Sequence, residues 1–280
     1  MKTLGYYNGK YDEIDKMMIP MADRTHWFGD GVYDATNSIN YHIIGIDQHI
    51  DRFFNSARML DINLGFTKEF LAELLNELIV KLDDGNLMVY WQVSRGGYGV
   101  RCHAYDKEDK ANLWIQFFPQ AVTDLNEEYN LTMMEDKRYL YCNIKTLNLE
   151  PSVLAYQLAR SKHCDETIFH RGDIVTECAH SNIHILKDGK FITHPADEYI
   201  LPGIARANLL EACRDLNIPI EERAFTIAEM MNADEVIVSN SGEMCMRTAE
   251  IEGTKVGHKD EITLNRLKKY IQAKWIDKYK

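Results

Sequence analysis

The sequence predicts a mixed α/β protein in two domains, and three observations carry that reading. The chain has 280 residues, 45% of them hydrophobic, enough for one large core or two modest ones. Its apolar patterning switches repeatedly between a helical and a strand period. A stretch with neither period, Pro119 to Asn126, divides it. The expected organisation is a small N-terminal α/β domain over residues 1–120, a linker over 121–127 and a larger C-terminal domain over 128–280.

The first elements follow from local pattern. Leu4 to Lys10 reads as a hairpin, because Asn8-Gly9 is a turn signal between apolar arms. His26 to Asp34 holds two glycines around an acid between bulky aromatics, and taken alone it reads as a packed turn. Ile46 to Leu60 is a helix with Ile46, Ile50, Phe53, Phe54, Ala57 and Leu60 on one stripe and Asp47 in its first turn. Arg52 lies beside that stripe, either as a solvated side chain or as an anion ligand. A second core helix runs from Thr67 to Leu82 and closes at Asp84-Gly85. Strands follow at Leu87–Ser94 and Asn112–Phe118. The glycine-rich loop between them, Arg95 to Tyr105, carries Arg101 and His103 two apart, so an extended conformation lets both face one carboxylate.

Beyond the linker, strands alternate with helices. Strands are expected at Tyr129–Met134, Glu166–His170, Asp173–Glu177, Asn182–Leu186, Lys190–Thr193, Glu235–Ser239 and Cys245–Ile251. Helices are expected at Glu150–Lys162, Ile204–Leu216, Ile227–Asn232 and Ile262–Tyr279. The first of these helices has Val153, Leu154, Gln157, Leu158 and Ser161 at helical spacing and is expected to pack that face on a sheet. Lys145 falls just before it, and Glu177 ends a strand 32 residues later. A nucleophilic lysine has to be held partly out of water to lose its proton near neutral pH, and an acid that tunes a cofactor needs an equally rigid support. Gly203 opens a helix whose first amides are unsatisfied, a place where a phosphate can bind, and Ser241 ends a strand that could add a hydroxyl to the same anion.

Charge and cysteine usage exclude several classes. With 32 basic and 43 acidic residues the net charge is −11, which argues against a nucleic-acid surface. The opening sixteen residues carry a turn and several acids where a signal peptide needs an apolar run, and no apolar segment approaches the ~20 residues that span a bilayer, so a cytoplasmic protein is expected. The six cysteines form no CxxC pair and are expected to be reduced. His180 and His184 are four apart near Cys178, yet their segment reads as a strand, so no metal site is expected.

Taken in order, Phe28-Gly-Asp-Gly-Val-Tyr33, His49-Ile-Asp-Arg52, Ile144-Lys-Thr-Leu-Asn148, Thr176-Glu177 with Ser181-Asn182, Gly203-Ile204 with Arg206, and the strand ending at Ser241 resemble the fold-type IV pyridoxal 5'-phosphate enzymes. That class contains branched-chain aminotransferases, D-amino acid transaminases and aminodeoxychorismate lyases. The likeness covers nearly the whole chain, and Tyr33 with Arg101 and His103 brings it nearest the D-amino acid transaminases. The resemblance implies a C-terminal domain with a β-barrel-like core and a homodimer whose active site lies near the subunit interface. It implies that Lys145 forms the Schiff base with the cofactor and shuttles a proton, and that Glu177 pairs with the pyridine nitrogen. Arg52, the amides of Ile204 and Ala205, and Ser241 are then phosphate ligands, while Tyr33, Arg101 and His103 bind the substrate carboxylate, the latter two reaching in from the other subunit of the dimer. The implied activity is transfer of an amino group between a D-amino acid and a 2-oxo acid; branched-chain L-amino acid transfer and aminodeoxychorismate cleavage are the alternatives on the same fold, and a non-catalytic cofactor-binding dimer is the alternative outside enzymes.

The chain departs from the family pattern in three places, one of them a longer loop before Arg101. Cys178, Ala179 and His180 follow Glu177 where a glycine and small hydroxyl residues are usual, which makes His180 a candidate for the substrate pocket. Ala205 stands where threonine is common, which removes a hydroxyl from the phosphate cradle but keeps the amide.

Overall fold

The computed structural model describes residues 1–97 and 99–280; of the loop Arg95 to Tyr105, Tyr98 lies outside the described residues. The chain forms two units. One comprises Met1–Val122, Ile144–Asn148 and Tyr279–Lys280, and the other comprises Thr123–Asn143 and Leu149–Lys278. Lys145 therefore belongs to the first unit, although the chain on either side of its five-residue segment folds into the second.

The first unit is a six-stranded antiparallel sheet covered on one face by helices. β1 (Leu4–Tyr7) and β2 (Lys10–Asp12) make the expected hairpin, with Asn8 and Gly9 both at positive φ. Then come α1 (Arg24–Phe28), β3 (Gly31–Ile39), β4 (His42–Ile43), α2 (Ile46–Met59), α3 (Lys68–Ile79), β5 (Leu87–Ser94) and β6 (Asn112–Pro119), with strand order β2-β1-β6-β5-β3-β4. Alternation places Val32, Val89, Trp91, Val93, Ile115 and Phe117 on the covered face, where they meet Phe53, Leu71, Leu75 and Leu78.

The packed turn expected at His26–Asp34 is instead a short helix leading into the nine-residue strand β3. Gly29 ends α1 in the left-handed region at φ 59°, and the absent side chain of Gly31 lets β3 start close against its neighbours. A Cβ at position 31 would lie 2.1 Å from the Val93 carbonyl oxygen and 2.7 Å from Leu147.

In the second unit, β7 (Glu128–Glu135), α4 (Glu150–Ser161), β8 (Glu166–Arg171), β9 (Ile174–Cys178), β10 (Asn182–Lys187), β11 (Lys190–Thr193), α5 (Ile204–Asp215), β12 (Ile220–Glu222), β13 (Phe225–Thr226), α6 (Ile227–Met231), β14 (Glu235–Ser239), β15 (Met246–Ile251), β16 (Thr254–Lys255) and α7 (Glu261–Ile271) follow in turn. The expected last helix does not run evenly to Tyr279: α7 ends at Ile271 and continues as a π turn and a 3-10 turn. The hydrogen-bonded strand order is β12-β11-β10-β14-β15-β7-β8-β9-β13, with β16 beside β15.

That order forces the sheet to curl. β9 and β10 are five strand spacings apart along the sheet, about 24 Å if it were flat. Only Ala179 to Ser181 joins them, a link from Cys178 to Asn182 that reaches at most about 14 Å. The sheet bends into a half-barrel, and the Cys178 amide donates to the Ser181 carbonyl across the join at 2.7 Å. Glu177 and Asn182 are thereby brought to the same end.

α4 corrects one expectation. Its packed face is Ala155 and Ala159, set against Phe169 and Ala179, while Val153 and Leu154 are 58% and 57% exposed. Two alanines let the helix axis lie close to the sheet, and the larger side chains turn outward. Among the described residues, no helix is long and apolar enough to cross a membrane.

Gly31→Ala is expected to destabilise the protein by roughly 2–4 kcal/mol in urea unfolding, because a carbonyl cannot retreat from the new methyl group. Gly99→Ala, at a site where an added Cβ meets nothing within 4 Å, is expected to change stability by less than about 0.5 kcal/mol.

Candidate active site

The lysine is presented by a strap laid along β3. Tyr33 N–H donates to the Lys145 carbonyl at 3.0 Å, Leu147 N–H donates to the Gly31 carbonyl at 3.1 Å, and Val32 and Thr146 form an antiparallel bridge. From the helix side, the Lys145 amide donates to Ser56 Oγ on α2 at 3.3 Å. Asn148 closes the strap by donating to the Gly29 carbonyl at 3.0 Å. With its backbone held from both sides, Lys145 places Nζ 4.2 Å from the centroid of the Tyr33 ring, and Tyr33 itself stacks on Tyr90 at 5.5 Å.

Beneath the strap lies a buried charge cluster. Arg52 donates through Nε and one Nη to the two oxygens of Asp34, at 2.9 and 2.8 Å, and His49 Nδ1 lies 2.7 Å from Asp34 Oδ1. Burial alone would raise the carboxyl of Asp34, but the adjacent Arg52 and His49 more than reverse this and hold it well below the usual carboxylate range. Because Asp34 is ionised, the proton of that hydrogen bond sits on His49 Nδ1. Burial, aided by Arg52 and Lys145, lowers the pKa of His49 despite Asp34. His49 and Arg52 are three apart on α2, so they share a face.

Arg101 and His103 also fall in the first unit. The Arg101 guanidinium is 4.8 Å from the Phe28 ring centroid, and the His103 ring is 5.0 Å from it. Their loop is anchored by Arg24, which donates to the carbonyls of Cys102, His103 and Ala104 and to Asp30. The sequence reading assigned no role to Arg24.

Glu177 and the uncapped start of α5 are built in the second unit. Glu177 accepts from Arg138 Nη1 at 2.5 Å, from Asn182 Nδ2 at 3.0 Å and from the Leu201 amide at 2.9 Å. Burial pushes its carboxyl up to about 7 against the pull of Arg138. Asn182 also donates to the Leu201 carbonyl, which ties the acid to the segment entering α5. Gly203 is required there, since a Cβ would lie 2.0 Å from Asn182 Oδ1.

Gly203 begins α5 with no side-chain cap, and the backbone ladder starts only at Ala207, whose amide donates to the Gly203 carbonyl. Ile204 and Ala205 thus carry amides ahead of the ladder, the usual arrangement for an anion. Asn182 pairs in register with Ser239, two residues before Ser241, and its side chain meets Gly203 at the start of α5. His184 supports this floor, with its ring nitrogens 2.8 Å from Thr193 Oγ1 and 2.8 Å from Ser239 Oγ, while Arg206 donates to Thr193 and to the His194 carbonyl. His180 stands in the turn between β9 and β10, half-exposed, with Nδ1 in contact with the buried Glu166 carboxylate and its ring edge-on to Tyr156. Among the described residues no group of His, Cys, Asp and Glu could hold a metal ion.

The folded protein keeps on Glu177 a proton that the unfolded chain releases near 4.5. The stability contributed through this group is therefore present below about 4.5 and lost as pH rises through about 7. Glu177→Gln is expected to flatten that decline in cofactor-free protein, by at most about 3 kcal/mol between pH 5 and 8 in urea unfolding. An unchanged decline in the variant would contradict the assignment.

Residues 31–251 match the family described as Amino-transferase class IV. A D-alanine aminotransferase from Staphylococcus haemolyticus is 34% identical over 258 residues, covering 91% of each chain. One from Listeria monocytogenes is 34% identical over 260 residues, covering 91% of this chain and 89% of its own. The structure superposes on the branched-chain amino acid aminotransferase of Escherichia coli with a TM-score of 0.88 at 19% identity, over 100% of this chain and 96% of the other, which identifies the shared fold as type IV. With its lysine strap, carboxylate and uncapped helix now placed, the chain belongs to the class IV aminotransferase family.

Proposed function

We propose that this protein is a pyridoxal 5'-phosphate-dependent transaminase that moves the amino group of a D-amino acid onto a 2-oxo acid in two half-reactions, working as a cytoplasmic homodimer. The observation that carries the reading is the strap, whose hydrogen bonds to β3 and to Ser56 Oγ fix the backbone of Lys145 from both sides. The donor set suits the cofactor's three functional ends: an amine for the aldehyde, a buried carboxylate for the pyridine nitrogen, and uncapped amides with a hydroxyl for the phosphate. Curated relatives that are D-alanine aminotransferases favour the D-amino acid over the branched-chain and lyase alternatives.

When bound, the cofactor supplies an electron sink for negative charge developing at the substrate α carbon. Lys145 would hold it covalently and would move the α proton through Nζ. Glu177, kept in place by Arg138 and Asn182, would receive the pyridine nitrogen. The amides of Ile204 and Ala205, with Ser241 and Arg52, would hold the phosphate. Tyr33, Arg101 and His103 hold the substrate carboxylate, and His180 borders the pocket. The reducing compartment agrees with six cysteines that stand unpaired.

Support for a second copy comes from the outer face of α4. Leu149, Val153, Leu154 and Tyr156 are exposed there, and Tyr139, Leu140 and Tyr141 are exposed in the same unit, apolar side chains that a partner surface would cover.

In a half-reaction panel, the visible spectrum of the loaded protein is expected to shift with D-alanine or D-glutamate, and Lys145→Ala is expected to lose turnover by on the order of 10³-fold or more. A shift confined to L-valine or L-leucine would select the branched-chain reading, and release of pyruvate from aminodeoxychorismate without an acceptor would select the lyase. For the assembly, Val153→Asp combined with Leu154→Asp is expected to convert a dimer to a monomer in sedimentation; an unchanged dimer would remove this face from the interface.

A further inference from the structure

His180 lies in a charge cluster that reaches the loop carrying Ser241. Glu166 is fully buried and accepts from the Thr167 amide at 2.8 Å, the His180 amide at 3.2 Å and Ser181 Oγ at 3.0 Å, and it also contacts His180 Nδ1. The other ring nitrogen, Nε2, faces Glu243 at 4.0 Å. Glu243 closes the loop after β14: Asn240 Nδ2 donates to Glu243 Oε2 at 2.5 Å and to Ser181 Oγ at 3.0 Å, and Asn240 Oδ1 accepts from the amides of Gly242 and Glu243. Ser241 sits inside that turn. A carboxylate two residues from a phosphate ligand repels the phosphate unless positive charge offsets it, and the His180 imidazole lies between Glu166 and Glu243.

We infer that His180 is a positioning residue for the cofactor phosphate: it neutralises Glu166 and Glu243 and holds the 240–243 loop, without itself touching the anion. The inference rests on the proposed phosphate role of Ser241 and α5. Among the groups facing the imidazole are Glu166 from β8, Glu243 from the loop after β14 and the Tyr156 ring from α4, and Tyr129 hydrogen-bonds in turn to Glu243. As the imidazole loses its proton with rising pH, the cluster gains net negative charge next to the anion and the phosphate is held less firmly.

The test is equilibrium binding of pyridoxal 5'-phosphate and of phosphate-free pyridoxal to cofactor-stripped protein from pH 6 to 9, followed by absorbance. In His180→Gln, pyridoxal 5'-phosphate is expected to bind about three- to tenfold more weakly at pH 6, with binding of pyridoxal unchanged and the difference from wild type vanishing toward pH 9. Glu243→Gln is expected to act in the opposite direction, tightening pyridoxal 5'-phosphate binding by a few-fold, an effect that a merely damaged fold does not produce. Wild-type protein that shows no preference for the phosphorylated ligand would overturn the phosphate cradle itself. A preserved preference with identical pH profiles in wild type and both variants would overturn the role of His180 alone.

Discussion

A short run of backbone hydrogen bonds determines where the reactive amine can be. The Tyr33 amide to the Lys145 carbonyl, the Leu147 amide to the Gly31 carbonyl and the Lys145 amide to Ser56 dock five residues onto a sheet whose other members come from the first part of the chain. Long lysine side chains lose rotamer freedom only at a cost, so a fixed backbone is what makes the position of Nζ reproducible. The same constraint explains the two glycines before β3. Gly29 turns the chain out of α1, and Gly31 leaves the room into which the strap and β5 both press.

In the second unit the decisive constraint is topological. Because three residues join β9 to β10 across a sheet that separates them by five strand spacings, the strands must curl, and the residues at the join converge. A carboxylate, an amide side chain and a helix start then meet within hydrogen-bonding distance without any of them lying on a mobile loop. Burial makes Glu177 reluctant to ionise, while Arg138 and two further donors oppose that tendency. On the function proposed above, a protonated pyridine would be a fourth partner for this acid and would remove part of the cost of keeping charge out of water.

Much of this was legible in the residues because local pattern and tertiary role agree. Strands β10 and β11, the stripe of α2 and the turn at Asn8-Gly9 follow from period and turn chemistry alone. β3 was not legible, since its start is set by the absence of side chains that only a packed neighbour reveals. The outward face of α4 was misread because helical spacing marks a stripe without saying which stripe is buried; Ala155 and Ala159 win by allowing closer approach. At the site, Lys145 and Glu177 stood out through their surroundings in the chain. Arg138, Arg24 and the Asp34 partnership did not, because each acts across many residues and no spacing encodes it.

The claim on which everything else rests is that the amine of Lys145 carries the cofactor. Borohydride reduction of the cofactor-saturated protein, followed by proteolysis and mass spectrometry, reads that attachment directly. The account predicts one peptide bearing a reduced pyridoxyl phosphate group at position 145. Recovery of that peptide unmodified, with the label on another lysine or on none, would contradict it.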